Sequence, residues 1–284
     1  MARRKTEPPR VAALKIMAEA ELVGLSEALE NARSGESVHG ARRRIKLLRS
    51  LLRLLKPALG EAAFRAVNDG LRDAADALAG QRRAEALVAA TEKFLVSKDE
   101  ANVYWRDLAE AHRKAGLAGV SADAGLHAAR AALARAATAM AGAQIRDDGA
   151  DRLGMSLTRH YAKARRLLRE GFASGNAEDL HEARKFVIHH LHHLSLLAPH
   201  LGPVRKRMAA LERLRGFLGD LNDLDELEHL ARVHGKTASP EAMRRMDKAR
   251  ARMLVKAKAA ATRLFHHKPH AIAASLNVTQ WGGG

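Results

Sequence analysis

Apolar residues recur three and four positions apart along nearly the whole chain, and alternate with period two almost nowhere. That spacing predicts helices throughout. A first helix is predicted at roughly 9–33, with Val11, Leu14, Leu22, Leu25 and Leu29 facing inward and "SGES" breaking it. A second follows and ends at Pro57, because proline is poorly tolerated inside a helix. Residues 60–79 and 82–115 read as two more, "KAGLAG" as a turn, and 121–146 as an alanine-rich helix closed by "RDDGAD". A helix at 151–173 follows. The stretch "PHLGPVRKRMAALERLRGFLGDLNDLDELEHL" reads as two further helices, and a last helix runs from Pro240 to about His266. The tail "SLNVTQWGGG" is expected to fray.

The pattern repeats. "VHGARRRIKLLRSLLRLLKPALG" is paralleled by "LHEARKFVIHHLHHLSLLAPHLG", and "SGES" by "SGNAED". His39 aligns with His181, Arg42 with Arg184, Arg43 with Lys185, Pro57 with Pro199 and Gly60 with Gly202, at a constant offset of 142. The expected fold is therefore all-α: two helical bundles of about four helices each, related by an internal pseudo-twofold repeat. The first covers residues 1–148 and the second 149–270, with 271–284 as a flexible tail.

Charge changes this picture most at the second helix. The segment Val38–Lys56 holds a histidine and seven lysines and arginines, and no acid. On a helix, His39, Arg42, Arg43, Lys46, Arg49 or Ser50, and Arg53 share one side, while Ala41, Ile45, Leu48, Leu52 and Leu55 share another and are expected in the core. The cations thus form a ladder with one step per ~5.4 Å turn. A solvated face is the plain alternative, but solvated faces mix signs, since like charges four apart cost a few tenths of a kcal/mol each. A ladder of cations suits a linear polyanion, and the planar arginine fork grips phosphate oxygens two at a time. The whole chain agrees: 49 lysines and arginines against 32 acids give a formal charge of +17, which points to a polyanionic partner.

The second copy keeps His181, Arg184 and Lys185, but Ile188 stands where Lys46 stood. His189, His190, His192 and His193 then cluster. His189 and His193 are spaced to chelate a metal, yet no nearby carboxylate completes a site. Partly buried polar histidines and phosphate contacts are the other two readings, and His190, aligned with Leu48, is expected to lean into the core. Lys163 and Arg166, near Arg159, make a further basic stripe, beside which Tyr161 reads as a packing residue. Arg205, Lys206, Arg213 and Arg215 either extend the basic surface or are ordinary solvated charges. "GDLNDLDELEHL" superficially matches a calcium loop but lacks the central glycine and has Leu224 at a ligand position. Asp223 is expected instead to cap a following helix, with Glu226 as its box partner.

These residues resemble the signature of the CHAD family, the conserved-histidine α-helical domain: His-x-x-Arg-Lys/Arg-x-x-Lys, occurring twice in one chain. "YAKARRLLREGFASG" resembles the family's Tyr-x-x-x-Arg-Arg run, "LGDLNDLDEL" its Leu-Gly-Asp-x-Asn-Asp-Leu element, and "FRAVNDGLRDAADALAGQRR" the first-half counterpart. The likeness covers about residues 10–265. It implies two helical bundles with a basic surface between them, binding of inorganic polyphosphate, and a location at cytoplasmic polyphosphate granules. By position, the implied anion contacts are His39, Arg42, Arg43, Lys46 and Arg49, then Arg165, Arg166, His181, Arg184 and Lys185. Arg53 and Lys163 extend the two stripes. Three departures stand out: Ile188 for a lysine, Arg82-Arg83 for an Arg-Asp pair, and His192 for a tyrosine. The second half is then expected to bind less tightly or to use His189 and His192 instead.

Other functions are less well supported by the residues. With no cysteine, disulfides, thiolate metal sites and a cysteine nucleophile are excluded. Lys15, Glu19 and Glu21 interrupt any apolar leader, and no apolar run is long enough for a membrane span. No Walker loop, Gly-x-Ser-x-Gly, His-Glu-x-x-His or dinucleotide fingerprint is present. The expectation is a non-catalytic binder without a cofactor. Nucleic-acid binding is the weaker alternative, because aromatics are only 4% and few rings are left to stack bases. A polyphosphate hydrolase is the third reading, with His39 or His181 as general acid; it lacks carboxylates to hold a metal near the ladders. If His39 and His181 are contacts, affinity rises as pH falls from 8 to 6. Nothing in the sequence sets an oligomeric state.

Overall fold

A computed structural model describes residues 7–30, 35–78, 80–94, 100–118, 122–146, 149–233 and 238–281. Those residues form eleven α-helices and no strand: α1 (Val11–Glu30), α2 (Gly35–Leu59), α3 (Glu61–Ala77), α4 (Gly80–Phe94), α5 (Glu100–Ala118), α6 (Ala122–Ala141), α7 (Ala150–Ser174), α8 (Ala177–Leu197), α9 (Arg205–Val233), α10 (Pro240–Leu264) and α11 (Pro269–Ser275). The all-α expectation holds. Helices α1, α2, α3 and α6 pack together, α7 pairs with α8, α8 with α9 and α9 with α10, and α2 lies against both α7 and α8. Gly70 makes the α3–α6 crossing close, since a Cβ there would stand 2.8 Å from the carbonyl oxygen of Ala132.

The α4–α5 pair lies elsewhere than the sequence halves imply. It packs on α9 and α10. The indole Nε1 of Trp105 donates to the Ala242 carbonyl at 3.2 Å, and Lys93 pairs with Asp220 at 2.7 Å. Residue 148 is thus a boundary in the sequence across which α4 and α5 reach.

Several element boundaries differ from the sequence reading, each for a physical reason. The segment 82–115 is two helices, and α5 continues through most of "KAGLAG" to Ala118. Helix α2 begins at Gly35, inside "SGES", and runs past Pro57 to Leu59. Proline leaves the carbonyl four residues back, that of Arg53, without its helical partner. The Ser156 hydroxyl of α7 donates to that carbonyl at 3.0 Å, so the break is repaired from another helix. Helix α9 is one helix of 29 residues. Leu211, Leu214, Leu218, Leu221, Leu224, Leu227 and Leu230 are all buried, and this spacing carries the apolar face through Gly216 and Gly219. Each glycine costs about 1 kcal/mol of helix propensity, which burial of several leucines at ~1.5–3 kcal/mol each exceeds. Asp223 therefore sits mid-helix and caps nothing.

The tail is packed as far as Trp281. Helix α11 and a 3-10 turn at Val278–Gln280 return it to α7, where Trp281 is buried against Gly154. A Cβ on Gly154 would meet the Val278 carbonyl at 3.2 Å and the Trp281 ring at 3.4 Å. Trp281→Ala is expected to cost about 3 kcal/mol in urea unfolding, within the range for buried large-to-small changes. An unchanged midpoint would mean that the tail does not dock.

Candidate functional site

The five core positions expected on α2, Ala41, Ile45, Leu48, Leu52 and Leu55, are buried, so the opposite side of the helix is fixed. Ser50 marks where α2 crosses α8. Its hydroxyl lies 2.8 Å from Nδ1 of His192 and 2.9 Å from Nδ1 of His189, and it donates to the Lys46 carbonyl at 2.9 Å. The Ser50 carbonyl accepts from Nε2 of His193 at 2.8 Å. Ser50 and His192 are 142 residues apart, the offset of the two sequence copies.

Beside this crossing the cations of the two copies meet. The Lys46 ammonium lies below its ordinary range, first through loss of hydration and then through the charges of Arg184, Arg42 and Arg215. Arg184 is likewise lowered by burial, and Arg215 adds to the effect while Asp223 and Asp220 oppose it. Its guanidinium lies flat on α9 over Gly219, where a Cβ would stand 3.3 Å from one of its nitrogens. Arg49 and Arg53 continue the row, both lowered by burial. Arg49 donates weakly to Asn68 at 3.4 Å, and Arg53 donates to Nε2 of His189 at 2.9 Å. Arg43 and Lys185 are exposed, Lys185 with Glu182 at 2.8 Å.

Second partners hold this arrangement. Arg42 donates to the carbonyls of Ala75 and Leu78 at the end of α3; burial lowers its guanidinium, and Asp76 nearby opposes that. His181 Nδ1 is hydrogen-bonded to Oδ1 of Asn222, an acceptor, which places the proton on Nδ1. Burial raises the Asp223 carboxyl, against the pull of Arg184. Of these, Gly219, Asn222 and Asp223 belong to the "LGDLNDLDEL" segment. The sequence reading gave that segment a structural role, but did not foresee that it faces Arg184 and His181. His39 lies half-buried in the first turns of α2.

Other expected contacts do not come together here. Nε of Arg165 donates to the Phe265 carbonyl at 2.9 Å, at the C-terminal end of α10, and Arg166 pairs with Glu170 on its own helix. Lys163 lies 5.8 Å from the Phe186 ring, on the seam between α7 and α8. Both ring nitrogens of His189 have protein partners, Ser50 and Arg53, which leaves none for a phosphate. His192 keeps its place near Lys46 and Arg215, but its Nδ1 faces Ser50. The side chains of Arg82 and Arg83 lie outside the described residues.

The histidines form a dry, neutral floor. His190 and His193 are fully buried, and His190 packs against Tyr161 and Phe265 as a core residue. Tyr161 is itself buried and donates to the His267 carbonyl at 2.9 Å. Loss of hydration holds His189, His190 and His193 well below their ordinary value, aided by Arg53 at His189, by Arg207 at His190 and by His160 and His189 at His193. His192 is lowered to about 4 by burial and by Arg215 and Lys46, and His160 is lowered mainly by burial. Among the described residues no group of histidines and acids has the geometry to hold a metal ion. None of the described helices is long and apolar enough to cross a membrane.

Fold and site define an all-α protein whose cationic side chains cluster where two distant helices cross. The CHAD domain profile matches residues 17–232. The chain belongs to the CHAD-domain family. No curated protein matches it. Among solved structures it is similar to the crystal structure of the CHAD domain from the plant Ricinus communis, with 19% identity, a TM-score of 0.48, and 98% of this chain and 94% of that chain covered.

Proposed function

We propose that this protein binds inorganic polyphosphate, without catalysis, in a basic groove along the seam of α2 and α8. One observation carries the reading: the ammonium of Lys46 has Arg42, Arg184 and Arg215 as its charged neighbours. These four come from α2, α8 and α9, and Lys46 is lowered by the charges of the other three, a like-charge cost that a bound polyanion would relieve. Arg43, Arg49, Arg53, His181 and Lys185 lengthen the row. The Ser50–His192 contact at the 142-residue offset fits two repeats meeting about a pseudo-twofold axis. The family to which the chain belongs is associated with polyphosphate binding in general, which supports the same reading and, with it, a place at polyphosphate granules.

A site of fixed cations and hydrogen-bond donors is tested by competition between polyanions. Labelled long-chain polyphosphate bound to the protein is challenged with unlabelled polyphosphate or duplex DNA at equal phosphate. Polyphosphate displaces the label and DNA does not. Displacement by DNA at equal concentration would make the seam a nucleic-acid site. Release of orthophosphate during incubation with magnesium would make the protein a hydrolase.

A further inference from the structure

From Lys248 to the end of the chain there is no aspartate or glutamate. Within that stretch Lys248, Arg252, Lys256 and Arg263 stand on α10, all exposed, and none has an ion pair or hydrogen bond. Their spacing of four, four and seven residues keeps them on one side of the helix along about 22 Å. Arg250 lies on the other side and is bound by Asp225 and Glu228 of α9, at 3.0 Å from Asp225. The row therefore points away from α9. On α9, Glu228, which meets Arg250 of α10, lies half a turn around the helix from Gly219, which borders Arg184 of the Lys46 cluster. The two cationic surfaces are thus separated by the body of α9.

We propose that the outer face of α10 is a second polyanion site, for the sugar-phosphate backbone of duplex nucleic acid, read without regard to sequence. The row is one side chain wide and stands on the exposed side of a single helix. A flexible string would lose conformational freedom by straightening along it, whereas a duplex is already stiff over the row's length. Cations one helical turn apart, on long stems, suit backbone phosphates. No asparagine, glutamine or aromatic residue lies on α10, so neither base-edge readout nor stacking on unpaired bases is provided for. The same lack, with Val255 as the one large apolar residue exposed there, leaves nothing to anchor the helix in a lipid surface. Loaded on both surfaces, the protein would tether a phosphate polymer to a chromosome.

The test is fluorescence anisotropy of a labelled random-sequence duplex with the full chain. Lys248→Gln/Arg252→Gln/Lys256→Gln should raise the dissociation constant for the duplex at least tenfold. It should also make the salt slope shallower by about 2.7, or ~0.9 for each lost phosphate contact. Polyphosphate affinity should stay within twofold. The equal-charge control Arg65→Gln/Arg72→Gln/Arg135→Gln should leave duplex binding near wild type, with far-UV circular dichroism confirming helicity in both. Equal losses in the two variants would reduce the effect to net charge and overturn the proposal. So would wild-type binding by the α10 variant, or its loss of polyphosphate in place of duplex. Because the polyphosphate seam is read separately, its failure would leave this result standing.

Discussion

Lys46→Glu/Arg215→Glu lowers affinity for long-chain polyphosphate by at least about 100-fold at physiological salt while leaving the fold intact. Each charge-assisted hydrogen bond to phosphate contributes ~1.5–3 kcal/mol. Losing two removes ~3–6 kcal/mol, or ~10²–10⁴ in affinity before the phosphate's regained hydration is counted. The reversals also add repulsion. Stability should hold, because each of these cations works against its neighbours: Lys46 and Arg215 oppose the charge of His192, and Arg215 that of Arg184. The native partner lost by Arg215 is Glu212, a solvent-facing pair, and such pairs contribute ~0–1 kcal/mol. Equilibrium titration and thermal unfolding measured together decide the matter. Weak binding with an unchanged or higher Tm is the expected pair of results; a fall in both would mean that these residues serve the fold.

The second large effect is loss of stability in acid. Five histidines, His160, His189, His190, His192 and His193, are held neutral in the folded state by burial and by the surrounding cations Arg53, Lys56, Arg49, Lys46, Arg207 and Arg215. Above pH 6.5 both states are unprotonated and these groups do not distinguish them. As pH falls below 6.5 the unfolded chain takes up protons that the folded chain refuses, so stability declines until the folded-state values are reached. For His192, from 6.5 to about 4, the loss is about 3 kcal/mol at 1.36 kcal/mol per unit. His160, His189, His190 and His193 act in the same direction, against a total of only about 5–15 kcal/mol that holds a typical domain. The chain should therefore lose stability steadily as pH falls from 6.5 to 4. His190→Leu should lessen that loss, since both His190 nitrogens are buried without a hydrogen-bond partner. Stability constant down to pH 4, by urea denaturation, would contradict the neutral cluster.

Much of this was legible in the sequence where apolar spacing alone decides. The inward face of α2, the burial of Tyr161 and the inward lean of His190 follow from periodicity, because a helix fixes which positions share a side. The ladder residues Arg42, Lys46 and Arg184 were legible for the same reason. What periodicity does not encode is where a long side chain finds its partner. Arg165 reaches the Phe265 carbonyl, 100 residues away, and His189 is held by Ser50 and Arg53 from another helix. Local breakers misled where a tertiary contact repaired them. Pro57 is accommodated because Ser156 satisfies the Arg53 carbonyl, and Gly219 continues α9 because a leucine face runs through it. Asp223 reads as a cap when α9 is cut in two, and as a partner of Arg184 when it is whole.

The central claim is that both rows of cations serve one bound chain. Calorimetric titration with polyphosphate long enough to lie along the about 21 Å from His39 to Arg53 tests it. Three proteins are compared: wild type, Arg42→Glu/Arg43→Glu on α2, and Arg184→Glu/Lys185→Glu on α8. The account predicts one chain per molecule in the wild type and a weakened version of that same site in either variant. Two independent sites, one surviving intact in each variant, or wild-type binding by both variants, would contradict it.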